Sequence, residues 1–302
     1  MTPDQIAADL QRIKSLTEKP FQVNLFAGGW EADAYADSAP MLELLAEIHQ
    51  TLGLPPPALP LPKPDPFPEQ LEAVLDARPP IFSFTFGIPN RDAIARLKQR
   101  SILILGTATT LAEARLLADA GVDAIVAQGA ESGAHRGTFA GPFESSMVPT
   151  LTLVREITAA VDLPVIATGG LMDGRDIAAA IQAGAAAASL GTAFLISTES
   201  GAPPAHKQAV LAAAQDTTII TRAFSGRPAR GLPNAFIQKL IGREDAILPY
   251  PLQNALTRAM RTAAAQQGKP EFLSLWAGQG VARARSMPAA ELINCLVAEM
   301  TA

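Results

Sequence analysis

The sequence predicts an α/β protein built on a parallel sheet, and three observations predict it. Short apolar runs recur as far as Leu190: Val23–Phe26, Ile81–Phe86, Ile102–Leu105, Ala124–Ala127, Val165–Ala167 and Ala187–Leu190. They are apolar at consecutive positions and bounded by glycine or proline, as strands covered on both faces are. Amphipathic segments such as Thr110–Ala120, Thr150–Val161 and Gly174–Ala183 lie between them. Repeated strand–helix units with right-handed crossovers leave two architectures, an open doubly wound sheet or a closed barrel.

The elements follow in order. The chain opens on a helix, with Thr2 as cap, Pro3 in the first turn, and Ile6, Leu10, Ile13 and Leu16 on one face. Residues Trp30–Leu52 read as mostly helical. The proline-crowded stretch Leu54–Pro68 reads as extended and not helix, because proline removes a donor and clashes with the preceding turn. Beyond Leu195 the strand–helix period stops. Residues 203–265 read as helices around the loop Thr221–Asn234, and the tail from Ala289 as a closing helix. The whole of 1–302 is expected to form a single domain. A (β/α)8 barrel needs two more strands than these six, ahead of the first helix.

Bulk properties narrow the function classes. Of 302 residues 48% are hydrophobic and 18% charged, with a formal net charge of −5 and no basic run. Nucleic acid and an anionic membrane surface are poor partners for such a chain. The one cysteine, Cys295, excludes an intramolecular disulfide and a cysteine-based zinc cluster. The three histidines, His49, His135 and His206, are too widely spaced in sequence to suggest a metal site. No run is long enough to cross a bilayer and no signal-peptide core opens the chain. The expectation is a cytoplasmic, metal-free soluble protein.

The most informative stretch is Ala127-Gln-Gly-Ala-Glu-Ser-Gly-Ala-His-Arg-Gly137, a glycine-rich loop directly after a strand. Glycines let backbone approach a ligand closely, and α/β barrels place their chemistry at the carboxyl ends of their strands. His135 is the candidate for acid–base work, with an ordinary pKa of about 6.5. Arg136 beside it reads more simply as an exposed arginine than as an anion holder. Ala167-Thr-Gly-Gly170 and Ser189-Leu-Gly-Thr192 are two further glycine-rich turns after strands, of the kind that offer backbone N–H groups and a helix amino terminus to a phosphate. Each is weak alone. Their order and spacing after Gln128 and His135 favour a flavin phosphate site, and no Walker lysine follows either. Asn24 interrupts an apolar strand, so its amide either pins a neighbouring strand or faces a ligand. Asp119, Asp123, Asp173 and Asp176 read as capping groups at helix ends. No Gly-x-Ser-x-Gly supports a serine hydrolase.

Taken together, Phe21–Phe26, Phe82–Pro89, Gln128–Gly137, Pro164–Gly170, Ser189–Phe194, Thr221–Asn234, Tyr250–Ala255 and Leu275–Gly280 resemble the nitronate monooxygenases, formerly 2-nitropropane dioxygenases, of the bacterial class I branch. The resemblance covers nearly the whole chain. It implies a TIM-type (β/α)8 barrel with FMN as cofactor. Asn24, Gln128, Gly133, Gly170, Ser189, Leu190, Gly191 and Thr192 would contact FMN, and His135 would stand beside its reactive edge. The implied reaction is oxidation of an alkyl nitronate, or the nitroalkane, by O2 to a carbonyl compound and nitrite. An FMN-dependent NAD(P)H reductase of the same superfamily, acting on an enoyl-ACP or a quinone, is the alternative, and an inactive remnant is a third reading.

The chain also departs from the family. Members begin with a strand carrying an Ala-Pro-Met-Ala type segment, a helix and a Gly-Gly-Leu-Gly strand, and none of these is present. The resemblance therefore implies a barrel truncated at its amino end to about six strands, with a helical insertion at 203–265 and one flavin wall missing. Two exposed edge strands are expected, with poor solubility and incomplete FMN loading.

Overall fold

The computed structural model describes residues 1–28, 37–61 and 63–301. All six expected strands form, and they pair in chain order. They are β1 (Gln22–Phe26), β2 (Ile81–Thr85), β3 (Leu103–Ala108), β4 (Ala124–Gln128), β6 (Val165–Thr168) and β7 (Ala187–Ser189), every neighbouring pair parallel. A small antiparallel sheet is added by β5 (Ala134–His135), β8 (Ile219–Thr221) and β9 (Ala229–Gly231), in the order β5–β9–β8. The large sheet is a half-barrel. Among the described residues β1 pairs only with β2 and β7 only with β6, so both edges carry open backbone groups.

Alternation along the strands divides the sheet into two faces. Phe82, Phe84, Ile104, Ile125, Ala127, Val165 and Ala167 point to the helix-covered face, each at most 1% exposed. Helices Phe67–Ala77, Arg91–Gln99, Leu111–Ala120 and Thr150–Ala160 contribute Leu71, Leu97, Leu117 and Ile157 to the same core. Burying each large side chain of this set stabilises the fold by about 1.5–3 kcal/mol. The opposite face ends in polar groups: Gln128, Thr168 and Ser189 stand in register across β4, β6 and β7. That row is where a ligand can reach the sheet.

Local signals act as the sequence suggests. Thr2 caps helix Pro3–Leu16, and Gln5 completes the capping box; Ile6 and Leu10 are buried, while Leu16 stays exposed. Thr110 and Asp173 cap helices Leu111–Ala120 and Gly174–Gln182. The closing helix spans Ala289–Met300 and packs Leu292 and Leu296 against Ile177 of helix Gly174–Gln182. Helix Ala39–Leu52 accounts for part of the helical expectation over Trp30–Leu52; residues 29–36 lie outside the described residues.

Three expectations need correction. Helix Phe67–Ala77 starts two residues inside the stretch Leu54–Pro68, because a proline in the first helical turn loses no hydrogen bond. Asp123 is not a helix cap: its carboxylate accepts from the Ile104 N–H at 2.7 Å and ties the loop before β4 to β3. Residues 203–265 are not helical throughout. Helices Pro204–Leu211, Ala235–Gln238, Leu252–Leu256 and Arg258–Gln266 are present, but β8 and β9 lie between them. These strands are three residues each and form by pairing with one another and with the His135 segment. Short strands of that kind have no period to read.

No helix among the described residues is long and apolar enough to cross a membrane. Nor do they bring together three or more His, Cys, Asp or Glu placed to hold a metal ion.

Candidate active site

A cleft of about 280 Å³ opens at the carboxyl ends of β4, β6 and β7. Gln128, Thr168 and Ser189 line its floor and Ser132–Ala134 one wall, while Gly169, Gly170, Gly191, Thr192 and Trp276 are among the residues that close it elsewhere. The Thr168 hydroxyl donates to the Ser189 carbonyl at 3.0 Å and locks two strand ends together. Gly170 has φ +71, and a Cβ there would strike Glu131 at 2.7 Å. Backbone has been let in where a side chain cannot go.

The donors facing this cleft differ from the expectation. The amino terminus of helix Gly174–Gln182 is occupied by protein carboxylates: Asp173 accepts from Asp176 N–H, Asp176 from Met172 N–H, and Glu299 from Gly174 N–H. Of the first-turn donors of that helix, those of Gly174 and Asp176 are already taken by carboxylates. Instead the backbone N–H groups of Gly170, Gly191 and Thr192 donate to no acceptor among the described residues. The N–H groups of Gly133, Gly169 and Leu171, which also line the cleft, likewise have no acceptor among the described residues, and such a set of donors suits an oxyanion.

The histidine loop is held from several sides. The Gln128 amide donates to the His135 carbonyl at 3.0 Å and accepts from the Gly137 N–H at 2.7 Å. Arg136, read from the sequence as exposed, is 1% exposed. Its guanidinium donates to the carbonyls of Gly129, Gln128 and Ser146, so it splints the loop. The correction has a plain cause: a glycine-rich loop leaves carbonyls that no neighbouring backbone reaches, and an arginine fork satisfies several at once. Gly133 packs against the Ala277–Gly278 backbone, where a Cβ would stand 2.6 Å from Ala277 C and Gly278 N.

His135 pairs with Ala229 in the small sheet and sends Nε2 to within 2.7 Å of Ser225 Oγ. Its ring lies 6.0 Å from Phe86, edge to face, and 5.5 Å from Trp276. Ser225 is fixed by what precedes it. The Ala223 carbonyl takes a bond from Gln253 Nε2 and the Phe224 carbonyl one from Thr257 Oγ1, both at 2.6 Å and both from fully buried side chains. Phe224 itself sits in a core with Met41, Leu45, Ile48 and Phe236. Trp276 is held through Gly231, which it bridges, and through its carbonyl, which lies 3.1 Å from His206 Nε2.

Burial, helped by the positive charges of Arg227 and Arg261, pushes the His135 imidazole down to about 4. It is therefore uncharged at neutral pH. The unfolded chain binds this proton below about 6.5 and the folded chain only below about 4. Stability is accordingly expected to fall as pH drops through that window, by up to ~3 kcal/mol from this group, and to be unaffected by it above pH 6.5. Urea unfolding at pH 7 and pH 4.5 should show the loss, with a smaller one in His135→Asn. Equal losses in both chains would assign the pH dependence to other groups, such as the buried His206.

Of the residues singled out by sequence, Gln128, Gly133, Gly170, Ser189, Gly191 and Thr192 share the cleft. His135 adjoins it through Ala134 and Trp276. Leu190 does not line it; its side chain packs among the helix-side apolar residues. Asn24 also lies outside that lining, and its carbonyl oxygen accepts from the Ser83 hydroxyl at 2.8 Å, pinning β1 to β2. Ser225, Trp276, Phe86 and Arg227 were not identified as site residues. They lie in segments that carry the resemblance, Thr221–Asn234, Leu275–Gly280 and Phe82–Pro89, but nothing local says that these meet at His135.

A parallel half-barrel with a glycine-lined cleft and a half-buried, uncharged histidine at its strand ends has the architecture of an α/β enzyme of the barrel type. The family model for nitronate monooxygenase matches residues 1–299, and the chain belongs to that family. It is 38% identical over 301 residues to a probable nitronate monooxygenase of Staphylococcus haemolyticus (strain JCSC1435), covering 99% of this chain and 84% of the relative. The corresponding protein of Staphylococcus aureus (strain MRSA252) is 37% identical over 294 residues, covering 97% and 83%. Among solved structures, nitroalkane oxidase from Streptomyces ansochromogenes superposes with a TM-score of 0.90 at 39% identity, covering 99% of this chain and 86% of that one. FabK from Thermotoga maritima gives 0.75 at 27% identity, covering 100% and 82%. The enzyme class is nitronate oxidation.

Proposed function

We propose that this protein is an FMN-dependent enzyme that oxidises alkyl nitronates with O2 to carbonyl compounds and nitrite. The observation that carries the reading is the pairing of two unlike features at one place. The cleft offers several unused backbone donors, and beside it an uncharged imidazole is flanked by aromatic rings and lies in the field of two arginines. The N–H groups of Gly170, Gly191 and Thr192 would hold the FMN phosphate, with Ser189 on the cleft floor beside them. Gly133 and Gln128 would flank the ring system, Gly133 because backbone alone fits there. When bound, FMN supplies the redox chemistry, accepting electrons from the substrate and passing them to oxygen.

The chain's own residues decide which form of substrate is handled. Aromatic walls at Phe86 and Trp276 exclude water from the reacting carbon. His135, uncharged, accepts a hydrogen bond or a proton at a ring nitrogen, with Ser225 at Nε2 fixing the ring's orientation. An imidazole pushed this low is a weak base toward a neutral carbon acid. Positive charge at Arg227 and Arg261 favours an anion. Preformed nitronate is thus the better substrate and neutral nitroalkane the poorer one.

The test is direct. The chain is loaded with flavin, the bound cofactor is released by heat and separated by chromatography, and oxygen uptake and nitrite are followed with a nitronate. FMN as the retained species, with nitronate-dependent oxygen uptake and nitrite release, is expected. Retention of FAD instead, or fast anaerobic flavin reduction by NAD(P)H without nitronate turnover, would count against the proposal.

A further inference from the structure

Arg227 is a half-buried cation with no anionic partner among the described residues. Its guanidinium carbon stands 4.0 Å above the centroid of Phe86 and 5.8 Å from that of Tyr250. Nη2 donates to the Thr138 carbonyl at 3.2 Å, and no carboxylate pairs with the group among the described residues. Burial holds its guanidinium below the ordinary arginine range. Arg261 shares the situation: Nη2 is bound to the Asn254 carbonyl and side-chain oxygen at 2.7 and 2.9 Å, and the buried Nε has no acceptor. Taking a guanidinium out of water without a counter-charge is costly.

Geometry couples this charge to the reacting end of the site. The Phe86 ring carries Arg227 on its face and stands 6.0 Å from His135. Phe86 also has φ +75, a left-handed conformation that a bulky residue keeps only where its surroundings over-determine it. Ser225, bonded to His135, accepts from the Arg227 N–H at 3.3 Å, so one turn carries both the histidine's partner and the cation. A charge held at such cost next to an uncharged imidazole has no anion among the described residues, and the substrate of the proposed reaction is one.

We propose that Arg227 is the anion-selecting residue of this site, supplying the positive charge that holds a nitronate beside His135 and discriminates it from the uncharged nitroalkane. This rests on the nitronate reading above. Phe86 orients the guanidinium by stacking, and Arg261 adds a second positive charge.

The FMN-loaded chain and its Arg227→Met and Arg227→Lys variants decide the matter. For Arg227→Met the nitronate KM is expected to rise about 10- to 100-fold, the scale of a lost hydrogen bond between charged groups. The KM for neutral nitroalkane should change less than about threefold, and kcat for nitronate much less than KM. Arg227→Lys keeps the charge but not the stacked fork, and falls between. Two readouts do not depend on turnover. Nitrite, which shares the O–N–O group, should bind the wild type by calorimetry and bind Arg227→Met at least about tenfold more weakly. The His135 imidazole, followed by NMR, should titrate at a higher pH in the variant. If Arg227→Met fails to fold, Arg227→Gln, whose amide can still reach the Thr138 carbonyl, must show the same losses. Equal KM changes for both substrates, or unchanged nitrite affinity, would overturn the assignment. Loss of nitrite affinity in a protein that turns over no nitronate would uphold Arg227 and refute the reaction. Turnover with nitrite affinity indifferent to Arg227 would do the reverse.

Discussion

Replacing His135 by asparagine is expected to lower turnover of a neutral nitroalkane by about two orders of magnitude, the low end of general-base catalysis because its depressed proton affinity makes it a weak base. Preformed nitronate needs no deprotonation, and its turnover is expected to fall by no more than about tenfold, from lost positioning alone. The asymmetry follows from the site. His135 is uncharged at neutral pH and orientated by Ser225, so it can receive a proton. Steady-state rates of nitrite release with matched nitroalkane and nitronate check this. Equal losses on both substrates would mean that the ring positions the substrate, and an unimpaired variant would remove His135 from the chemistry.

The largest effect on stability is expected at Gly226. It has φ +83, and a Cβ there would stand 2.4 Å from the Leu248 carbonyl oxygen and 2.5 Å from the Tyr250 backbone nitrogen. Both obstacles are backbone, so neither can swing aside. Left-handed strain of about 1–2 kcal/mol and overpacking of about 1–3 kcal/mol point the same way for Gly226→Ala. A loss of roughly 2–5 kcal/mol is expected in urea unfolding, together with reduced nitronate turnover, because Ser225 and Arg227 flank the displaced residue. A variant as stable as the parent would show that the 223–227 turn adapts. Gly201→Ala is the control, since a Cβ there meets nothing within 4 Å and the residue does not line the cleft.

Much of the scaffold was legible because its causes are local. The six parallel strands are short apolar runs between glycine or proline, and a run buried on both faces declares itself. Thr2 with Gln5, Thr110 and Asp173 are caps whose partners lie within three residues, so sequence alone places those helix starts. The glycine turns at 169–170 and 191–192 were legible for the same reason. They stand at strand ends, and a strand's carboxyl end is where a parallel sheet presents its backbone.

What stayed hidden was decided between distant segments. Arg136 looks like a solvated arginine in a glycine loop, and only the folded chain shows three carbonyls converging on it. The strands β8 and β9 are too short to have a period, and exist because the His135 segment offers them an edge. Leu190 and Ser189 are neighbours, yet strand alternation sends one to the helices and the other to the cleft. Ser225 reaches His135 across 90 residues of chain, and its place is set by Gln253 and Thr257 gripping the two carbonyls before it. By itself the sequence determined the order of the strands, the helix starts and the glycine turns of the cleft, since each depends on residues a few positions apart. The tertiary structure alone decided which side chains surround His135 and how far its proton affinity drops, because burial and the approach of two arginines are properties of packing between remote segments.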